Sequence, residues 1–401
     1  MSKLKVLMFG WEFPPYKSGG LGTACYGLTK GLARNGCDVT FVMPVTPEGA
    51  KARFVKLIGA SNIAKNVKIK KIESPLTAYM TSASYEETYH ISSTKRKQVY
   101  GKDLFEEVQR YSIIAKHIAK EEHDIIHAHD WMTYQAGINA KKISKKPLIV
   151  HLHATEFDRT GGHPDGRISH IEYVGLKEAD KIITNSEFTK QNIIKHYKIP
   201  ANKIEVVHWG IDDVDVPRFD TPLKKDKIVL FLGRVTLQKG PDYFIEVAKK
   251  VLQYEPETKF VIVGDGDMLP RIINRAAELG ITDKVIFTGA LTGDDVHKAF
   301  KTADLYVMPS VSEPFGLVAL ESLKNGTPIL ISKQSGVAEV LRHALKVDFW
   351  DLDEMTNKIV SVLRHKALQE ELTEKGMKEV QKFNLDEPAR KIIHTYREAH
   401  V

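Results

Sequence analysis

The sequence predicts an α/β protein made of two doubly wound parallel sheets that face each other across a cleft. Three observations lead there. Its 401 residues exceed what one hydrophobic core holds, since single cores stop growing near about 250 to 300 residues. Apolar strand-like runs alternate with amphipathic helix-like runs, the pattern of βαβ units and therefore of parallel strands. Midway, the Asp- and Pro-rich stretch HWGIDDVDVPRFDTPLKKD, from His208 to Asp226, breaks the alternation and reads as a linker.

In chain order, KVLMFG from Lys5 is a short apolar strand. After a Gly/Pro-rich loop, Leu21, Cys25, Leu28 and Leu32 recur at helical spacing and mark one buried helix face. Gly36 is placed to end that helix in a left-handed conformation, and VTFVMP from Val39 is the next strand. Further strands are predicted at Ile125 to Ala128, Leu148 to Leu152, Lys181 to Thr184 and Ile204 to Val207, closing a first domain at 1–207. Beyond the linker at 208–226, the runs IVLFLG, KFVIVG, VIFTG, LYVMPS and PILIS alternate with helices starting near Pro241, Met268, Asp294, Phe315 and Gly336. These form a second domain at 227–383. From Asp353 to His400 the tail reads as helical, with Pro388 near the start of its last helix.

Composition excludes whole classes. Hydrophobic residues are 42% and charged residues 27% of the chain, values of an ordinary globular protein rather than a disordered or fibrous one. No apolar run approaches the roughly 20 residues that span a bilayer, and MSKLKVLMFGWEF lacks the form of a signal peptide, so a cytoplasmic protein is expected. Cys25 and Cys37 are the only cysteines. They can build neither a disulfide framework nor a four-cysteine zinc site, and read as small buried hydrophobes.

The net charge of +7 is uneven: residues 1–200 hold 30 Lys/Arg against 20 Asp/Glu, and the remainder 28 against 31. Much of the excess lies between Lys51 and Lys102. No nucleic-acid module accompanies it, so nucleic acid is not an expected partner. Solvated surface lysines are the simplest explanation, and peripheral contact with an anionic membrane surface is the alternative.

Ligands of open parallel sheets sit beyond the carboxyl ends of the strands, where the strand order reverses, so the chemistry is sought in the loops that follow strands. The first is GWEFPPYKSGGLGTA from Gly10. There Gly19, Gly20 and Gly22 admit close backbone approach, the following helix start offers N–H groups to an anion, and Lys17 adds charge. Cys25 stands where a dinucleotide fingerprint needs its third glycine. The loop GRVTLQKG presents Arg234 and Lys239 five residues apart, able to close on one diphosphate. In PSVSEPFGLVALESLKNGTP, Glu313 precedes a helix start containing Phe315, Gly316 and Leu317, and Glu321 follows it. Of the acidic triplets, DVD at Asp213 falls in the linker and DLD at Asp351 in the tail, while DGD at Asp265 reads as a turn between Gly264 and Gly266, so no metal site is expected.

Together KSGGLG at Lys17, HAHDW at His127, HLHATE at His151, the Arg234/Lys239 pair and the Glu313/Glu321 spacing resemble the retaining glycosyltransferases of two-Rossmann-domain (GT-B) architecture. That broad group includes bacterial glycosyl transferases, sucrose synthases and glycogen or starch synthases, and the likeness runs along essentially the whole chain. The resemblance implies that Arg234 and Lys239 bind the donor diphosphate with help from Lys17, Gly19 and Gly20. It implies that Glu321 accepts the ribose hydroxyls and that Glu313 holds the transferred sugar, beside the amides of Phe315, Gly316 and Leu317. His153 matches the histidine beside the reacting carbon, and Asp130 the acid lining the acceptor side. The last helix, 384–401, would cross back to the first domain.

The expected activity is metal-independent, retaining transfer of a hexose, glucose first, from a donor such as UDP-glucose or ADP-glucose to a glycan acceptor, with no other cofactor. EPFGLVALE in place of the EPCGL usual in glycogen and starch synthases keeps a second acceptor class open, a surface polysaccharide or lipid-linked glycan at the membrane face. Nucleotide-sugar epimerases and glucan phosphorylases share the fold and form the alternative of another class.

Overall fold

The computed structural model describes residues 3–11, 20–45, 67–73, 103–213, 216–217 and 226–400. Among them run 13 strands in two parallel sheets. The first contains β1 (Lys5–Phe9), β2 (Asp38–Val45), β3 (Val67–Glu73), β4 (Ile125–His129), β5 (Leu148–Leu152), β6 (Lys181–Thr184) and β7 (Ile204–Val206), in the order β3-β2-β1-β4-β5-β6-β7. The second contains β8 (Ile228–Leu232), β9 (Lys259–Val263), β10 (Val285–Gly289), β11 (Leu305–Met308), β12 (Ile329–Ser332) and β13 (Leu345–Val347), in the order β10-β9-β8-β11-β12-β13. Strand order reverses between β1 and β4 and again between β8 and β11. The loops that leave these four strands are therefore where ligands belong.

The helices of the first half are α1 (Gly20–Arg34), α2 (Leu104–Ile118), α3 (Trp131–Ser144), α4 (Glu156–Arg159), α5 (Gly166–Glu178) and α6 (Glu187–Tyr197). Those of the second half are α7 (Pro241–Val251), α8 (Leu269–Glu278), α9 (Asp294–Thr302), α10 (Leu317–Lys324), α11 (Val337–Val340), α12 (Leu352–Arg364), α13 (Lys366–Val380) and α14 (Asp386–His400). Cys25 and Leu32 on α1 are fully buried, and Gly36 ends that helix with φ +87 as its position predicts. The tail is broken rather than continuous: His365 is extended between α12 and α13, and a short turn separates α13 from α14. No described helix is long and apolar enough to cross a membrane.

Each central strand is buried on both faces, so Val6 to Phe9, Ile125 to His129 and Leu148 to Leu152 leave almost nothing to solvent. Ile392, Ile393 and Tyr396 of α14 belong to this first core, although they lie far along the chain from its other members. Two segments thus run between the halves, one after β7 and one before α14, and they meet where the Ile211 N–H donates to the Phe383 carbonyl at 3.0 Å. Trp209 and Ile211 pack against the second half rather than lying in solvent. Direct contacts also join the halves. Ser186, the N-cap of α6, accepts the Thr189 N–H at 3.0 Å and donates to the Pro314 carbonyl at 2.6 Å, while Ser312 donates to Asp158 at 2.6 Å. The Glu339 carboxylate accepts the backbone N–H groups of Glu187 and Phe188, capping a helix of the opposite half, and lies 3.2 Å from His208 Nε2.

Candidate active site

A cleft of about 380 Å³ opens between the two sheets, and nearly every residue lining it follows the carboxyl end of a strand. From the first half come Gly20 at the start of α1, Asp130 after β4, His153 after β5 and Asn185 after β6. Arg234 and Lys239 after β8, Asp265 after β9, and Glu313, Phe315, Gly316 and Leu317 after β11 form the opposite wall. Lys17 and Gly19 lie outside the described residues.

On the second wall, the backbone of Glu313 is tied on both sides. Its N–H donates to Gln334 at 2.9 Å and its carbonyl accepts from Gly336 at 2.9 Å, so a short bridge to the loop after β12 fixes the turn. The buried Glu313 carboxylate pairs with Lys239 Nζ and accepts the Ser310 hydroxyl at 3.3 Å. Arg234 donates to the Gln238 side chain at 3.2 Å, which steadies the guanidinium above the same loop. Gly316 caps α10 with φ +108, where a Cβ would be strained and would lie 3.0 Å from Met308 Cε. The start of α10 heads the cleft with the helix dipole behind it, the Ala319 N–H turning back to the Gly316 carbonyl at 3.0 Å. Glu321 lies one turn beyond Leu317 on α10, half-buried and outside the set lining the cleft. Its charge reaches the buried Tyr306 phenol: burial first, then Glu313 and Glu321, push that group well above its ordinary range.

The first wall is built differently. Residues two apart on a strand share a face, and β4 lies beside β5 with His129 in register with His151. His127, His129, His151 and His153 consequently form one layer of rings, with adjacent centroids 4.2–5.4 Å apart. All four are buried, and burial together with their mutual repulsion holds His127, His151 and His153 well below the usual imidazole range. Burial alone lowers His129 to about 3. The layer is therefore neutral at physiological pH. His153 meets His129 Nδ1 through Nε2 at 2.8 Å, and its Nδ1 is buried without a hydrogen-bond partner. It is no solvent-facing loop histidine. Trp209 stands 5.0 Å from the His153 ring and 6.0 Å from Phe315, linking the two walls.

Asp130 precedes α3 without a side-chain capping bond, in an unusual backbone conformation, φ +57 and ψ 172, that residues other than glycine rarely adopt. Burial raises its carboxyl to about 7, against the attraction of Arg159 and the N–H groups of His153 and Ala154. Arg159 is itself held by the buried carboxylates of Glu156 and Glu172.

Residues 5–203 match the model of the starch synthase catalytic domain, and residues 214–379 match that of glycosyl transferases group 1. An uncharacterised glycosyltransferase of Methanocaldococcus jannaschii is 30% identical across 98% of both chains. The chain belongs to the GT-B glycosyltransferases. A glycogen synthase of Mycobacterium tuberculosis is 26% identical over 84% of this glycosyltransferase and 80% of its own length. Among solved structures, sucrose-phosphate synthase from Thermosynechococcus elongatus superposes with a TM-score of 0.77 at 21% identity, covering 99% of each chain.

Some lining residues of the glycosyltransferase carry no motif in its sequence. Trp209 falls in the segment that reads as linker, and Asn185 follows β6 without a recognisable signal. Asp265 lies in the turn that reads as purely structural, yet it faces the cleft.

Proposed function

We propose that this glycosyltransferase of the glycogen and starch synthase type transfers a hexosyl group, glucose first, from a nucleoside-diphosphate sugar to a glycan hydroxyl with retention of configuration and without a metal. The observation that carries the reading is the Lys239–Glu313 pair at the head of α10, facing His153 across the cleft. Cations and helix amides gather at one end, where a departing diphosphate accumulates negative charge. A carboxylate and a histidine stand beside them, where the sugar develops positive charge.

In this reading Arg234 and Lys239 grip the diphosphate, with the α10 amides at Phe315, Gly316 and Leu317 and with Gly20 of α1. Lys17 and Gly19 complete that grip. Glu313 orients the sugar hydroxyls, Glu321 the ribose, His153 the reacting face, and Asp130 the acceptor side. A double displacement requires a carboxylate opposite the leaving group, a role the site residues leave unfilled. Front-side attack fits them, the departing phosphate oxygen taking the proton of the acceptor hydroxyl as the glycosidic bond forms.

The test is to incubate wild type and Glu313→Ala with UDP-glucose, ADP-glucose and GDP-mannose in EDTA, with and without glycogen, and to measure released nucleoside diphosphate. Release by the wild type that depends on glycogen supports the reading and identifies the donor. Release without glycogen moves the acceptor to another glycan or a lipid-linked saccharide, and no release from any donor overturns the proposal.

A further inference from the structure

The histidine layer beneath the cleft is better supplied with donors than a transferase site needs. Eight imidazole nitrogens are buried there, and two of them, His129 Nδ1 and His153 Nε2, meet each other at 2.8 Å rather than a carboxylate or a carbonyl. A thiol stands in the same place. Cys25 Sγ, from α1, lies 3.9 Å from His129 Nδ1, which lies 2.8 Å from His153 Nε2, and the donor atoms of these three residues all fall within 4.8 Å of one another.

A tetrahedral zinc ion, bound at about 2.3 Å to sulfur and about 2.0 Å to nitrogen, separates two nitrogens by about 3.3 Å and sulfur from nitrogen by about 3.5 Å. The observed spacings bracket those values, so side-chain shifts of about 1 Å complete the geometry. One thiolate with two imidazoles selects zinc, copper or cobalt over magnesium or calcium, which take oxygen ligands. Only His153 of the three lines the cleft, so the ion enters from there and its fourth position faces the substrate space.

We propose that Cys25, His129 and His153 form a binding site for a divalent transition metal of the zinc class, and that the bound ion switches the cleft off by taking the Nε2 lone pair of His153. Binding releases the Cys25 thiol proton to solvent. The proton shared between His129 and His153 moves to one of their outer nitrogens, so both rings stay neutral and no electron transfer is involved. The site stands on geometry alone, whereas its inhibitory effect rests on the transferase reading above.

The chain's two cysteines make the test specific. EDTA-treated full-length protein is titrated with Co²⁺ and followed by absorbance. One equivalent should produce visible tetrahedral ligand-field bands and a near-ultraviolet thiolate-to-cobalt charge-transfer band, both displaced by Zn²⁺. Cys25→Ala and Cys25→Ser should abolish the charge-transfer band, and His129→Gln should weaken binding at least about 100-fold, while Cys37→Ala and His151→Leu should bind as the wild type does. Circular dichroism of every variant separates lost binding from lost folding. No stoichiometric spectrum in the wild type overturns the site, as does a band that survives in folded Cys25→Ala or binding that depends on His151. In the nucleotide-release assay, one equivalent of Zn²⁺ should cut wild-type turnover at least tenfold, EDTA should restore it, and Cys25→Ala should be insensitive. Cobalt binding without zinc inhibition overturns the switch. A cobalt spectrum in a protein that releases no nucleotide keeps the site and removes the transferase reading instead.

Discussion

Asp130 Oδ1 accepts the backbone N–H of His153 at 2.7 Å, so the loop after one strand holds the loop after its neighbour. The carboxyl that does this is buried and titrates near 7 rather than at its ordinary 3.8. Between those two values the folded protein retains a proton that the unfolded chain has released. Stability contributed by this group therefore falls as pH rises through that window, and the full penalty is felt above 7. Asp130→Asn keeps the acceptor and removes the charge. It is expected to stabilise the protein by about 1–3 kcal/mol at pH 8, since a tenfold change in proton affinity is worth about 1.4 kcal/mol, with the gain shrinking toward pH 4. Urea unfolding at both pH values checks this, and a loss at pH 8 would contradict it.

Lys239 and Glu313 neutralise each other at the head of α10. An arriving diphosphate competes for the ammonium, and removing it leaves the Glu313 carboxylate buried with the Ser310 hydroxyl as its remaining contact among those described above. Lys239→Ala should lower turnover by about 100- to 1,000-fold, the range for loss of one preorganised donor to developing charge, and should raise the donor KM. Initial rates of nucleotide release across a donor series measure both. A change in the acceptor KM alone would place Lys239 elsewhere in the mechanism.

Glu339, from the second half, accepts the first two N–H groups of α6 in the first half. Burial opposes its ionisation, but His208 and the two N–H groups prevail and keep the carboxyl below its usual range. Glu339→Ala leaves the Glu187 and Phe188 N–H groups without this acceptor while Ser186 still caps Thr189, a loss of about 1 kcal/mol, and weakens the closed arrangement of the two halves. Small-angle scattering should show a larger radius of gyration for the variant, and donor binding should weaken while the folded core is retained. An unchanged radius with unchanged binding would mean that Glu339 plays no part in closure.

The four buried histidines make the protein acid-sensitive. Their folded-state affinity for protons is depressed, so unfolding takes up protons once pH drops below the ordinary value near 6.5, and stability is lost progressively as pH falls toward 3. His151→Leu removes one of these groups together with two unpartnered nitrogens. The slope of stability against pH between 6 and 4 should flatten by about one proton, and stability at pH 7 should rise by about 1–3 kcal/mol. Calorimetry across that range decides it.

Much of this architecture was legible because its central strands are continuous apolar runs, the form taken by strands buried on both faces. The two strands without such a signal are both edges. Val67–Glu73 reads VKIKKIE, where lysines interrupt the apolar residues, and Leu345–Val347 is three residues long. At the site, motif residues such as Arg234, Lys239, Glu313 and His153 were recognisable because each follows a strand. Trp209 was not, since nothing in a Pro- and Asp-rich segment signals that one aromatic ring will stand between His153 and Phe315. Nor does local pattern show that HAHDW and HLHATE lie on adjacent strands. Their four imidazoles become one layer only through the register of β4 with β5.

The placement of α14 in the first core sets an order of events during synthesis. The second half is contiguous from β8 to α13, and all its strands can pair as soon as they leave the ribosome. The first half emerges earlier yet lacks Ala389, Ile392 and Tyr396 until translation has nearly ended. Until then the apolar face that will receive α14 stays open to solvent and to chaperones. The half of the fold made first is thus the one finished last, waiting for its final helix until translation is nearly complete.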